Sequence, residues 1–226
     1  MPTQTELLAL WETGRTMHPL DQGVLAVEAG FPETTERVAD WPLGRRNRAL
    51  AQLRCRWFGD APRGWTECPQ CAEKLEFGLD VRALAESADP NPEGAVEAGG
   101  RTFRLPTSRD LAALVHETDV SSAVRLLLRR IGDGDLSEQE MESVGEQLAA
   151  ADPLAEIRLS FDCPNCGAQF EESVDLPTFL WAELEAYVKR LVADVHWLAS
   201  AYGWSEAEIL SMSSARRQLY LDMVTA

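Results

Sequence analysis

The chain has 226 residues, 45% hydrophobic and 26% charged, with 37 acidic against 21 basic side chains and a formal net charge of −16. That length and composition support a buried core without disulfide staples and exclude disorder as the dominant state. No apolar run reaches the roughly 18 residues that a membrane-spanning helix needs, and the Met1-to-Glu6 start lacks the basic and apolar regions of a secretory signal, so the expected compartment is the cytoplasm, without a membrane partner.

The charge is uneven. Residues 1–66 hold eight acids and eight bases, whereas residues 67–226 carry the remaining 29 acids and 13 bases, the whole of the imbalance. Affinity for nucleic acid comes mostly from Lys and Arg neutralising phosphates, so this distribution disfavours it.

In chain order, Leu7, Leu8, Leu10 and Trp11 predict a short helix, and a second is expected across Gly23 to Ala29. From Pro42 to Phe58, Leu50, Leu53 and Trp57 recur at helical spacing, Pro42 suits the first turn and Gly59 the stop. Arg45, Arg48 and Arg56 fall on the polar side of that helix, a solvated face or a basic strip for an acidic surface. Ala61 to Gly64 reads as a turn, Leu75 to Val81 as a strand, and Asp80 as the cap of a short helix through Arg82 to Ser87. Asn-Pro, Pro-Glu-Gly and Gly-Gly make Asp89 to Gly100 a loop. A strand is expected at Arg101 to Leu105, and Thr107 with Asp110 forms a capping box for a helix through Val115. Further helices cover Val120 to Ile131 and, behind the Ser137/Glu140 capping box, the run to Ala150. Asp133-Gly-Asp135 resembles the start of a calcium loop, but Glu138 and Val144 stand where that loop needs Gly and Glu. Strands are expected at Arg158 to Asp162 and Gln169 to Val174. Asp175 and Pro177 then open a long helix to Tyr202, with Leu180, Leu184, Tyr187, Leu191, Val195, Leu198 and Tyr202 as its seam. Gly203 ends it, Ser205 and Glu208 cap a short helix, and a last helix covers Ala215 to Met223.

An internal repeat dominates this pattern. Cys68-Pro-Gln-Cys71 through Val81 aligns without a gap on Cys163-Pro-Asn-Cys166 through Leu176, matching both cysteines, the Pro, two apolar positions, a Glu and a capping Asp. Each copy is a Cys-x-x-Cys turn followed by a strand and a helix start. One such turn supplies two ligands and zinc takes four, so the two copies together predict one structural zinc site per chain. The 91 intervening residues are tolerable because loop-closure entropy grows only logarithmically. Redox, disulfide and iron alternatives rank below zinc: a redox pair normally carries its Pro before the second cysteine, and no export signal favours disulfides. Gly167 after the second pair suits a left-handed backbone, so Ala72 at the matching position predicts strain of about 1 kcal/mol. Cys55, on the apolar side of its helix, is expected to be buried.

Known catalytic motifs are missing from the sequence. His18, His116 and His196 are the only histidines, and none sits in a recognisable catalytic set. The expectation is a non-enzyme.

The C-terminal run is Phe179-Leu-Trp181, then Val195-His196-Trp-Leu198-Ala199, Tyr202-Gly203-Trp204 with the Ser205/Glu208 box, then Arg216-Arg217-Gln-Leu-Tyr220. It resembles the T4-type phage baseplate hub assembly chaperone family, whose relatives also occur in bacterial contractile injection-system clusters. The resemblance covers roughly residues 157–223, and Pro42 to Cys71 is similar to injection-system members. It implies a role in building a phage-tail-like particle, with baseplate hub, tube or tape-measure proteins as partners and Trp181, His196, Tyr202, Trp204, Arg216, Arg217 and Tyr220 as candidate contacts. The zinc inference rests on the cysteine spacing, not on the family.

Together these expectations describe a mainly α-helical α+β protein. Residues 1–63 form a helical N-terminal region and residues 64–81 with 157–176 the halves of a split, zinc-ribbon-like β core built on four cysteines. Residues 82–156 form an acidic helical insertion and residues 177–226 a C-terminal helical segment. The runner-up is a zinc-ribbon regulator that binds nucleic acid through the arginines of residues 45–56.

Overall fold

The computed structural model describes residues 2–59, 63–88 and 94–225. Of the turn expected at Ala61 to Gly64, residues 61 and 62 lie outside these, as does the 89–93 part of the expected loop, while Arg63 and Gly64 belong to a strand instead. The protein is α+β and mainly helical: ten α-helices and three two-stranded antiparallel hairpins occur among the described residues.

Local capping chemistry sets most helix starts. Thr3 and Glu6 form a reciprocal capping box for α1 (Gln4–Gly14), and the His18 side chain accepts from the Leu20 N–H to start α2 (Pro19–Gly30). α3 (Leu43–Phe58) ends at Gly59, whose φ of 87° only glycine adopts easily. Strands β1 (Arg63–Glu67) and β2 (Lys74–Gly78) form the first hairpin. The expected strand stops at Gly78 because Asp80 accepts from the Ala83 N–H and turns Val81 into the first residue of α4 (Val81–Glu86).

β3 (Ala95–Ala98) and β4 (Arg101–Arg104) form the second hairpin. The loop expected through Gly100 is therefore corrected: Gly99 and Gly100 both have positive φ, 58° and 75°, the conformation of a tight two-residue hairpin turn. The Thr107/Asp110 box opens α5 (Ser108–Ala112), which stops short of Val115. α6 (Val120–Ile131) and α7 (Glu138–Ala151) follow, the latter behind the Ser137/Glu140 box. β5 (Ile157–Asp162) and β6 (Gln169–Val174) form the third hairpin, and α8 (Leu176–Tyr202) starts at the Asp175 cap. α9 (Glu206–Leu210), behind the Ser205/Glu208 box, and α10 (Ser214–Thr225) complete the chain.

Three apolar cores organise these elements. The main one joins α1, α2, α3 and the first half of α8 through Leu10, Val27, Leu50, Leu53, Leu184 and Val188, with Val81 and Ile157 contributed from either side of the hairpins. Each fully buried Leu or Val here removes enough apolar area from water to be worth roughly 1.5–3 kcal/mol. Cys55 packs half-buried against this core and is not fully enclosed. α4 packs on the same core through Val81, Leu84 and Ala85. The first turns of the segment expected as an insertion thus belong to the main core. A second core, centred on Phe103, Leu128, Ile131, Val144 and Leu148, belongs to the segment containing β3, β4, α6 and α7. A third joins Leu198 on the far part of α8 to Ile209 and Leu221.

The second core is tied to the first by polar contacts at the start of α3. Pro42 leaves that helix without a local side-chain cap. Instead the Gly44 N–H donates to Asp152 Oδ2 at 2.9 Å, across 108 residues, and the Leu43 N–H donates to the Pro106 carbonyl at 3.0 Å. Buried Arg46 donates to Ser108 Oγ at 2.9 Å, and Asn47 donates to the Leu154 carbonyl at 2.7 Å. A Cβ on Gly44 would overlap the Asp152 carboxylate. The helix start and the far end of α7 are one construction.

Candidate metal centre

The two cysteine pairs sit at the tips of the first and third hairpins, and both tips fold alike because their backbone bonds match. The Cys68 N–H donates to the Glu73 carbonyl and the Ala72 N–H to the Cys68 carbonyl, both at 2.9 Å. In the other copy the Cys163 N–H donates to the Ala168 carbonyl and the Gly167 N–H to the Cys163 carbonyl, again at 2.9 Å. The fifth residue of each turn is left-handed, with φ of 59° at Ala72 and 72° at Gly167. Ala72 is the one non-glycine residue with positive φ among the described residues, as the repeat alignment predicts.

The hairpins face each other. Phe77 of β2 meets Phe161 of β5 edge-on at 5.4 Å, and Phe161 stacks on Phe170 of β6 at 5.3 Å. Among the described residues no ladder joins the two sheets, so the expected ribbon is two separate hairpins held by side chains. This packing brings Cys68, Cys71, Cys163 and Cys166 together, with all four Sγ atoms within 4.8 Å of one another. Cys68 Sγ lies 3.7 Å from Cys166 Sγ, and Cys71 Sγ lies 3.6 Å from Cys163 Sγ. Those distances are far beyond a disulfide bond, and all four are free thiols. The four-sulfur group can hold a metal ion.

Burial is graded across the group: Cys68 and Cys163 are buried, Cys71 is half-buried and Cys166 is exposed. The thiols ionise unequally as well. Cys71 is drawn down to about 7, first by the Glu73 backbone N–H and next by the Asn165 amide, which donates to its sulfur from the other turn at 3.5 Å. Cys166 receives a matching N–H from Ala168, yet desolvation and the neighbouring sulfurs push it up to about 12. Four thiolates this close repel one another, and a bound cation supplies the charge that lets all of them ionise.

The remaining candidate residues do not share one surface. Trp181 is 7% exposed and belongs to the main core, where a Cβ on Gly14 of α1 would collide with its ring. Arg217 is 6% exposed, donating to Asp194 Oδ2 at 3.0 Å and to Gln4 Oε1 of α1. These two are corrected from candidate contacts to interior groups: Trp181 fills space under α1, and Arg217 ties α10 to α8 and α1. Tyr202, Trp204 and Tyr220 do cluster around the Gly203 turn. Tyr202 stacks on Trp204 at 4.5 Å, Tyr220 meets Trp204 edge-on at 4.8 Å, and the Arg216 guanidinium lies 5.8 Å from the Tyr220 ring centre. His196 is exposed beside Trp197, which is itself 53% exposed.

Two further polar groups have partners that no sequence pattern above announces. Arg54 of α3 is buried and makes a two-pronged ion pair with Glu183 of α8, at 2.9 and 2.7 Å. Asp110 is 1% exposed and accepts from Arg104 at 2.5 and 2.7 Å, from Arg130 at 3.3 Å and from Thr107. The capping box marks Asp110 in the sequence, but nothing local points to its arginine partners.

Among the described residues no helix is long and apolar enough to cross a membrane. Comparison with protein-family models, with curated proteins and with solved structures finds no match in any of the three.

Proposed function

We propose that this protein is an assembly chaperone or baseplate-associated component of a contractile, phage-tail-like particle, working by protein–protein binding and carrying one structural zinc ion. Zinc is favoured by the donor set and its spacing. A tetrahedron with zinc–sulfur bonds of about 2.3 Å has sulfur–sulfur edges of about 3.8 Å, close to the 3.7 and 3.6 Å separations between Cys68 and Cys166 and between Cys71 and Cys163. A site closed by four thiolates has no position for substrate, so its work is to clamp the two hairpins. Iron is the competitor for the same donor set, and elemental analysis tells the two apart.

The partner reading is carried by one observation: the Tyr202, Trp204 and Tyr220 cluster, on the residues that bear the family resemblance, sits at the end of α8 with Tyr202 39% exposed. Clustered aromatics with an adjacent arginine are the residue types that most often anchor protein interfaces. His196 and Arg216 flank them as polar contacts. The test is a pull-down of the tagged protein from its native host, read by mass spectrometry. Recovery of hub, tube or tape-measure proteins supports the proposal, and recovery of RNA polymerase subunits overturns it.

A further inference from the structure

The N-terminal helices carry a surface that neither the cysteines nor the C-terminal cluster uses. A cavity of about 510 Å³ opens between α1, the end of α2 and the end of α3, within the size range of ligand-binding clefts. Buried Leu7 and Leu10 floor it, Leu25, Ala29 and Trp57 line it, and exposed Arg56 borders it. Arg56 lies over the Phe31 ring, 5.0 Å from its centre. Phe31 in turn lines a second recess of about 200 Å³ with Trp41, Arg45, Arg48 and Gln52. The Arg45 guanidinium lies 4.0 Å over the Trp41 ring. Arg45, Ala49, Gln52 and Arg56 recur at intervals of four, three and four, so they share one face of α3 about 16 Å long. The two recesses are therefore parts of one strip, apolar at one end and carrying Arg45, Arg48 and Arg56 along its length, while Glu6, the one acid on the lining among the described residues, is engaged by Thr3 in the α1 capping box.

We propose that this strip docks an acidic amphipathic helix of a partner protein, its apolar side chains entering the Leu7/Leu10 cavity and its carboxylates meeting Arg45, Arg48 and Arg56. Charge and shape both select that occupant. Arg45 pairs with Glu36 at 2.6 Å, Arg48 donates to the Ala88 carbonyl at 3.2 Å and Arg56 to the Gly30 carbonyl at 3.1 Å. A guanidinium has five N–H donors, so such bonds hold Arg45 and Arg56 in place without using all that they can donate. Stacking on Trp41 and Phe31 further fixes these two, which lowers the ordering cost of binding. The rest of the chain carries the whole −16 charge, so an acidic partner is repelled elsewhere and its contact is confined to this neutral region. Nucleic acid meets the same repulsion and has no apolar side chains to bury in the cavity.

The test uses fluorescence anisotropy with three labelled probes on the full-length protein: a helical peptide of about 18 residues patterned with Leu and Glu, the same pattern with Lys for Glu, and a short DNA duplex. The expected result is saturable, salt-weakened binding of the Leu/Glu peptide alone, reduced at least about tenfold, or 1.4 kcal/mol, in the Arg45→Glu, Arg56→Glu double variant. Circular dichroism confirms that this variant stays folded, as two surface positions should allow. The proposal is overturned if the Leu/Glu peptide does not bind, if the Lys peptide or the duplex binds as well, or if the folded double variant binds undiminished.

Discussion

Ala72 and Gly167 occupy the same position in two copies of one turn, with nearly the same backbone, and only one of them is a glycine. A Cβ in the left-handed region costs about 1 kcal/mol or more, so the first turn holds strain that the second does not. Ala72→Gly is expected to stabilise the protein by about 1 kcal/mol and Gly167→Ala to destabilise it by a similar amount, both read by urea denaturation of metal-loaded protein. Equal stability of all three proteins would show that the turn bears no strain. This difference was legible in the sequence, because the repeat aligns the two positions and glycine alone is at ease there. Asp110 was legible only in part. Its burial works against ionisation, but bonds from Arg104 and Thr107 outweigh that and hold the carboxyl down at about 2. A folded value below the roughly 3.9 of an unfolded Asp means that its contribution, about 2 kcal/mol, is complete above about pH 5 and is lost as pH falls through about 4 towards 2. Stability measured against pH should show this acid-side loss, and Asp110→Asn should flatten it.

Among the elements, α3 shows where sequence reading stops. Its apolar period, Pro42 and Gly59 announce the helix, but its N-terminal amide finds its acceptor 108 residues away in Asp152. A cap that reaches three residues is written in the sequence; one that crosses the fold is not. The capping boxes at Thr107, Ser137 and Ser205 all belong to the first kind and all form. Asp152→Ala should cost about 1–2 kcal/mol, the usual range for losing a helix cap, while Asp152→Asn keeps an acceptor and should recover much of that. Thermal melts of the two variants check this, and an unchanged melting temperature for Asp152→Ala would remove the cap from the account. The β3 strand escapes a sequence reading for a related reason: its run is only four residues and follows a Pro- and Gly-rich stretch, so the Gly-Gly turn of the hairpin reads as loop. Helix periodicity placed Trp181 and Arg217 on the chain but not under α1, because a seam says which face is apolar and not what covers it.

For the molecule as a whole, the cysteine repeat was the most informative feature, since it specified a contact across 91 residues that no periodic pattern could. The helices that pack α1, α2, α3 and α8 together make a core independent of those cysteines, while the hairpins attached to it are small, and two-stranded sheets are marginal alone. A metal ion held at their tips would therefore stabilise the hairpins and the junction between them more than the helical body. Removing it with a chelator should lower the melting temperature and expose the hairpins to protease before the helices. The most direct test is the metal-to-protein ratio of protein purified without chelators, measured by mass spectrometry of the elements alongside Cys163→Ser. About one zinc ion per chain is expected in the native protein, and its loss in the variant. A native protein without bound metal, or a variant that keeps its full complement, would contradict that expectation.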